Sequence, residues 1–278
     1  MSEWLSKDIV VNGLKVHYYR TGGNKPPFVL AHGATDDGLC WTPIAKVLEK
    51  DYDVIMVDAL GHGLSDSPEG PNPTAKMGSH LAAVIQALEI EKPLVMGHSM
   101  GAATALALGG LHPDLPKAIL LEDPPALWKP AEPRPEPPED GEKRPSMMDW
   151  FNSLRTKTRE EIMADGRTQN PDWPEEEFGP WADSKMRFAA HDPNKPAFGG
   201  DFLRDISEIV AKITCPTLLM YADHEKGAIV QEKDLAIFKE LVPQAVVKQI
   251  KGAGHNIRRD QYDAFMTVVQ DFLAGLEA

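Results

Sequence analysis

Cysteine is nearly absent from the chain: Cys40 and Cys215 are the only two in 278 residues. Two isolated cysteines make neither a disulfide framework nor a Cys-x-x-Cys metal site. Positive charge is also in deficit. Against 42 aspartates and glutamates stand 29 lysines and arginines, a net charge of −13. A surface of that sign repels phosphate backbones and anionic lipid, so neither nucleic acid nor a membrane is an expected partner. No run of about 18 apolar residues occurs, which excludes an expected membrane-spanning helix. The opening MSEWLSKDIV has no basic segment leading into an apolar core, so it does not read as a signal peptide. These absences point to a reducing, cytoplasmic setting and a small-molecule partner.

Hydrophobic residues make up 42% of the chain, enough for a large core. Up to about residue 123, strand-like and helix-like runs alternate. Residues 14–20 (LKVHYYR), 28–31, 53–57 (DVIMV), 94–96 and 118–121 read as strands. Residues 42–50, 74–89 and 99–111 read as helices, the second from the stripe Leu81, Ala82, Val84, Ile85 and Leu88. The strand runs are continuously apolar rather than alternating, as in a parallel sheet covered on both faces. The fold class is therefore α/β. Residues 124–145 are dense in proline and charge, and residues 146–204 look helical but irregular. There Thr158 and Glu161 suit a capping box, and Asp172 with Pro174 suits a second helix start. The alternation resumes with strands at 217–221 and 246–250 and helices at 229–242 and 259–274. The block 124–205 thus reads as an insertion into one α/β domain made of 1–123 and 206–278.

Three motifs carry chemistry. Gly97-His98-Ser99-Met100-Gly101 follows a strand and opens a helix of small residues. A serine there sits on a sharp turn with its hydroxyl thrust outward, and the Met100 amide at the helix start is a ready oxyanion donor. His32-Gly33-Ala34 follows the third strand, and its loop can bring the Ala34 amide toward the serine as a second donor. Gly252-Ala253-Gly254-His255 lies between the last strand and the last helix, where small residues let His255 hang into the site as general base. His32 and His98 are read as braces. Asp36-Asp37 and His191-Asp192 lack the spacing of metal ligands, and no cofactor is needed for the chemistry that the three motifs suggest.

These motifs, in this order, resemble the α/β-hydrolase superfamily over nearly the whole chain. The segment from Val57 to Asp66 (VDALGHGLSD) is similar to that family's turn after the fourth strand. The resemblance implies an eight-stranded, mostly parallel sheet with helices on both faces. It also implies a helical cap inserted after the sixth strand, at 124–205, and a triad in the order Ser, acid, His. The family's Gly-x-x-Asp after the seventh strand is matched here by Ala222-Asp223-His224-Glu225, which makes Glu225 the first choice of acid. Asp223 is an alternative. So are Glu122 and Asp123, because some relatives take the acid from the end of the sixth strand. Trp128, Trp150, Trp181 and Met186 are candidates for contact with substrate, against the plainer reading that such residues pack the cap.

The expected function is hydrolysis of a carboxylic ester or lactone through an acyl-enzyme. Other reactions share the triad: a cofactor-free haloperoxidase or perhydrolase, an amidase, a thioesterase or a carbon–carbon hydrolase. A small-molecule receptor with little turnover is the alternative outside enzymes.

Overall fold

Runs such as Asp53–Val57 and Leu94–His98 are buried at every position, so the sheet that they build must be covered on both faces. The computed structural model, which describes residues 4–130, 147–195, 197 and 204–277, shows such a sheet. Its eight strands lie in the order β1-β2-β4-β3-β5-β6-β7-β8. They are β1 (Leu5–Val11), β2 (Leu14–Arg20), β3 (Pro27–Ala31), β4 (Asp53–Val57), β5 (Leu94–His98), β6 (Ala118–Glu122), β7 (Thr217–Tyr221) and β8 (Val246–Gln249). β1 and β2 form an antiparallel hairpin, β2 runs antiparallel to β4, and every other pair is parallel.

The pleat sends successive apolar side chains to opposite faces. Val29, Ile55, Val95 and Leu219 join one core with Leu81 and Val84 of α2 (Thr74–Ala87) and Leu106 of α3 (Met100–Leu111). Phe28, Leu30, Met56 and Met220 join the other with Ile44 of α1 (Thr42–Leu48) and Phe265 of α10 (Tyr262–Gly275). β3 is hydrogen-bonded to both β4 and β5, so the strand order turns back there. The crevice at the carboxyl ends of such strands is where open α/β sheets bind ligands. The loop after β3 and Ser99 after β5 both meet at that point.

Between β6 and β7 lie α4 (Met147–Leu154), α5 (Arg159–Gln169) and α6 (Glu175–Ala190), with the short α7 (Ser207–Val210) leading back to the sheet. The capping box of Thr158 and Glu161 is present at the start of α5. Pro174 stands just ahead of α6, although no side chain caps that helix. Phe151, Leu154, Ile162, Trp173, Phe178, Trp181 and Phe188 form an apolar cluster of their own. Of the proline-rich stretch 124–145, residues 131–145 lie outside the described residues.

Two helices depart from the sequence pattern. The run 229–242 is helical only from Glu232, in α8 (Glu232–Leu241), because the amides ahead of it are used elsewhere. The final run divides at Gln261 into α9 (Ile257–Asp260) and α10. Among the described residues no helix is long and apolar enough to cross a membrane, and no group of three or more His, Cys, Asp or Glu side chains is placed to hold a metal ion.

A buried set of charges joins α6 to the sheet. Asp36 Oδ1 accepts from Lys185, and Asp36 Oδ2 from Arg259 (3.2 Å) and Arg258 (3.4 Å). Arg259 Nε also donates to Glu177 Oε2 at 3.0 Å. Burial alone would raise the Asp36 carboxyl, but Arg259, Lys185 and Arg258 outweigh it and hold it well below the usual carboxylate range. Asp36→Asn leaves three buried cations short of a counter-charge and will cost about 3–5 kcal/mol, read by urea denaturation near neutral pH. A carboxylate with a lowered folded pKa stabilises above its unfolded pKa and stops doing so as pH falls through the lowered value. The wild type will therefore lose more stability than Asp36→Asn as pH drops below the ordinary carboxyl range, and parallel pH profiles would refute this account.

Candidate active site

β5 ends at His98 and α3 starts at Met100, so one residue must make the turn. Ser99 makes it with φ 52° and ψ −112°, a conformation that costs a non-glycine residue about 1–3 kcal/mol. Two backbone bonds hold it there: Ser99 N–H donates to the Glu122 carbonyl and Ala103 N–H to the Ser99 carbonyl, both at 2.9 Å. A Cβ on Gly101 would run into the Ala31 carbonyl, so only glycine lets α3 start this close to β3. Met100 is the first residue of α3, and amides of a first helical turn have no acceptor within the helix.

The loop after β3 closes against this turn. Asp36 N–H donates to the Gly33 carbonyl at 3.1 Å, and Thr35 takes φ 64°. A Cβ on Gly33 would lie 2.6 Å from His98 Nδ1 and 3.5 Å from Ser99 Cβ. The Gly33–Ala34 backbone therefore runs directly beside the serine. His32 braces the loop: its Nδ1 donates to the Gly33 carbonyl (2.8 Å) and its Nε2 accepts from Ala59 N–H (3.0 Å). Burial lowers its pKa, in keeping with a neutral ring that both donates and accepts.

His255 is half-buried and hangs from the loop between β8 and α9. Its ring packs 4.7 Å from that of His98, whose Nε2 donates to the His255 carbonyl at 2.9 Å. Burial, then the charge of Arg258, pushes His98 well below the usual imidazole range, so its ring stays neutral in this bracing role. The carboxylate that reaches His255 is Asp123, with Nδ1 donating to Oδ2 at 2.6 Å. Asp123 follows β6, is fully buried, and takes φ 41°. Its oxygens also accept from Ile229 N–H (2.8 Å) and Val230 N–H (3.0 Å), the amides that α8 leaves free. Three donors thus occupy and orient the two carboxylate oxygens. In the tautomer whose Nδ1–H donates to Asp123, the other ring nitrogen, Nε2, is the acceptor.

The profile of the α/β hydrolase fold family matches residues 26–258. The chain belongs to that family. N-formylmaleamate deformylase from Pseudomonas putida is 29% identical over 273 residues, covering 96% of this chain and 95% of that protein. Among solved structures, N-formylmaleamic acid deformylase from Pseudomonas putida superposes with a TM-score of 0.76 at 26% identity, over 95% of this chain and all of the other. An enol-lactonase from Burkholderia xenovorans superposes with a TM-score of 0.72 at 22% identity, over 96% of this chain and all of the other. The last likeness concerns the fold alone.

In this α/β hydrolase, Glu225 is not placed as the sequence order suggests. It lies on the short 3₁₀ turn His224–Lys226 and is exposed. Asp223 is engaged below it: its N–H donates to the Ala253 carbonyl (3.0 Å), and its Oδ2 accepts from Gly252 N–H (2.7 Å). It ties β7 to the turn that leads into the histidine without meeting the ring. Glu122, fully buried, takes the backbone N–H and the guanidinium of Arg258, each at 2.9 Å. The reason is geometric. β6 is the neighbour of β5, so a side chain at its end lies between the serine and a histidine arriving from the sheet edge.

The candidate substrate contacts also fall differently. Trp128 is 1% exposed, donates to the Asp234 carbonyl at 2.9 Å and packs on Phe238 of α8. It fills the sheet-side core. Trp150 packs against the cluster of α4–α6, and Trp181 is buried in it, edge-on to Trp173 with Lys185 over its face. Met186 is 37% exposed on α6. None of the four makes a described contact with Ser99 or His255.

Proposed function

We propose that this hydrolase cleaves a small-molecule carboxylic ester or lactone by acyl transfer to Ser99, with His255 as base and Asp123 as the acid. The observation that carries this reading is the 2.6 Å bond from His255 Nδ1 to the buried Asp123 carboxylate, set beside a serine in a strained strand-to-helix turn. Asp123 holds the imidazole in the tautomer whose Nε2 can accept a proton, and stabilises the imidazolium that results. His255 takes the Ser99 proton as the hydroxyl attacks the carbonyl. The amides of Ala34 and Met100 receive the developing oxyanion, each worth about 3–4 kcal/mol of barrier. His255 then protonates the leaving alcohol, and water attacks the acyl-enzyme by the reverse route. We take α4–α6 of the insertion 124–205 to act as a cap over the 1–123 and 206–278 core, with Lys185 and Glu177 anchoring α6 to Asp36 and Arg259.

A second reading is cleavage of an N-acyl bond. It is favoured by the relative named N-formylmaleamate deformylase, which matches this chain over 96% of its length. The same triad serves, with His255 protonating a nitrogen leaving group. The experiment is a panel containing p-nitrophenyl esters of rising chain length, homoserine and simple lactones, and N-formylmaleamate. The ester reading expects kcat/KM highest on an ester or lactone. Turnover confined to N-formylmaleamate would replace it with the second reading, and no turnover of any member that depends on Ser99 would remove both.

A further inference from the structure

Arg258 stands three residues after His255 in α9 and is 1% exposed. No step above uses it. Its backbone N–H and Nη1 donate to the two oxygens of Glu122, both at 2.9 Å, and its Nη2 lies 3.4 Å from Asp36 Oδ2. Its guanidinium lies over the Trp41 ring, 4.2 Å from the centroid. Each carboxylate belongs to a different part of the site. Glu122 precedes Asp123, and its carbonyl receives the N–H of Ser99 at 2.9 Å. Asp36 lies two residues beyond Ala34. One planar cation therefore joins the histidine loop to the acid-bearing strand and to the oxyanion loop.

A buried ion pair is weak evidence for stability, since apolar groups of similar volume are often as good or better. A guanidinium offers what an apolar plug does not, a rigid fork that fixes angle and distance between the groups that it bonds. We infer that Arg258 is a positioning residue, which keeps His255 and the Ala34 amide in register with Ser99 and acts through them without touching substrate. This rests on the reading of Ser99, His255 and Asp123 as the reacting triad. Displacing a reacting group by about 1 Å can cost roughly 100-fold in rate.

The deciding variant is Arg258→Met combined with Glu122→Gln, which removes both charges of the pair, while Asp36 keeps Lys185 and Arg259. It is compared with Arg258→Lys and the wild type. The measurements are Tm, the rate at which a fluorophosphonate modifies Ser99, p-nitrophenyl acetate kinetics, and the downfield proton resonance of the His255–Asp123 bond. The double variant is expected to keep a Tm near the wild type's, while phosphonylation and kcat fall about 30- to 100-fold and KM changes little. The downfield proton should shift or broaden. Arg258→Lys, with one donor group in place of a fork, should lose about tenfold. A double variant with wild-type Tm, rate and proton resonance would overturn the inference and leave Arg258 a mere charge partner. Should the double variant fail to fold, Arg258→Lys decides, and a full rate with an intact fold overturns the inference. Absence of labelling at Ser99 in the wild type would instead overturn the proposed function.

Discussion

Asparagine at position 123 will lower kcat by about 10⁴-fold with little change in fold, as expected when the acid of a Ser-His-Asp triad loses its charge. Asp123 accepts from His255 Nδ1, Ile229 N–H and Val230 N–H. An asparagine has one oxygen for these three donors, and its amide nitrogen must face one of them. If it faces the ring, it donates to Nδ1, and the proton moves to Nε2, where the base is needed bare. If it takes the place of Oδ1 instead, the buried Val230 N–H loses its acceptor, at about 1–3 kcal/mol. Glu225→Gln, by contrast, alters an exposed side chain and will leave kcat within about twofold of the wild type, the usual outcome for surface sites. Steady-state kinetics on the two variants separates the geometry from the order of motifs in the sequence. Near-full activity in Asp123→Asn would show that the acid lies elsewhere.

Glycine at position 99 will remove turnover, by about 10⁶-fold if the serine acts as a triad nucleophile, and will at the same time stabilise the protein. The two effects share one cause. Ser99 holds φ 52° and ψ −112°, which glycine adopts without strain. Relief of about 1–3 kcal/mol exceeds the roughly 0.5–1 kcal/mol that glycine costs through the freedom of its unfolded chain. The net gain is about 1 kcal/mol, seen as a higher Tm by calorimetry. A glycine variant that is both inactive and less stable would mean that the turn is not strained in the way its dihedral angles indicate.

Much of this arrangement is legible in the residues, for local reasons. Ser99 and His255 stand at strand ends marked by flanking glycines, and continuous apolar strands announce a sheet covered on both faces. The loop that closes beside Ser99 follows from His32-Gly33-Ala34 after a strand. The acid is not legible by the same means. Glu122, Asp123, Asp223 and Glu225 all stand at or just after strand ends in the correct order, and choosing between them requires the reach of the 252–254 loop across the sheet. A signal was present at the boundary of α8: Ile229 and Val230 continue a helical pattern, yet their amides turn to Asp123 instead. The tryptophans of 124–205 were open to two readings because packing and substrate contact ask for the same side chains. Trp128 illustrates this, with its N–H used on Asp234 and its ring on Phe238. The charge set of Asp36, Lys185, Arg258 and Arg259 has no sequence signature, since its members are spread over more than 220 positions.

The central claim is that Ser99 is a nucleophile activated by His255 and Asp123. Its most direct test is the mass of the wild-type protein after exposure to a fluorophosphonate, with the modified peptide sequenced. The account predicts one adduct per chain, on Ser99, formed far more slowly in Asp123→Asn and at the wild-type rate in Glu225→Gln. A folded protein that takes no adduct, or takes it on a residue other than Ser99, would contradict the account.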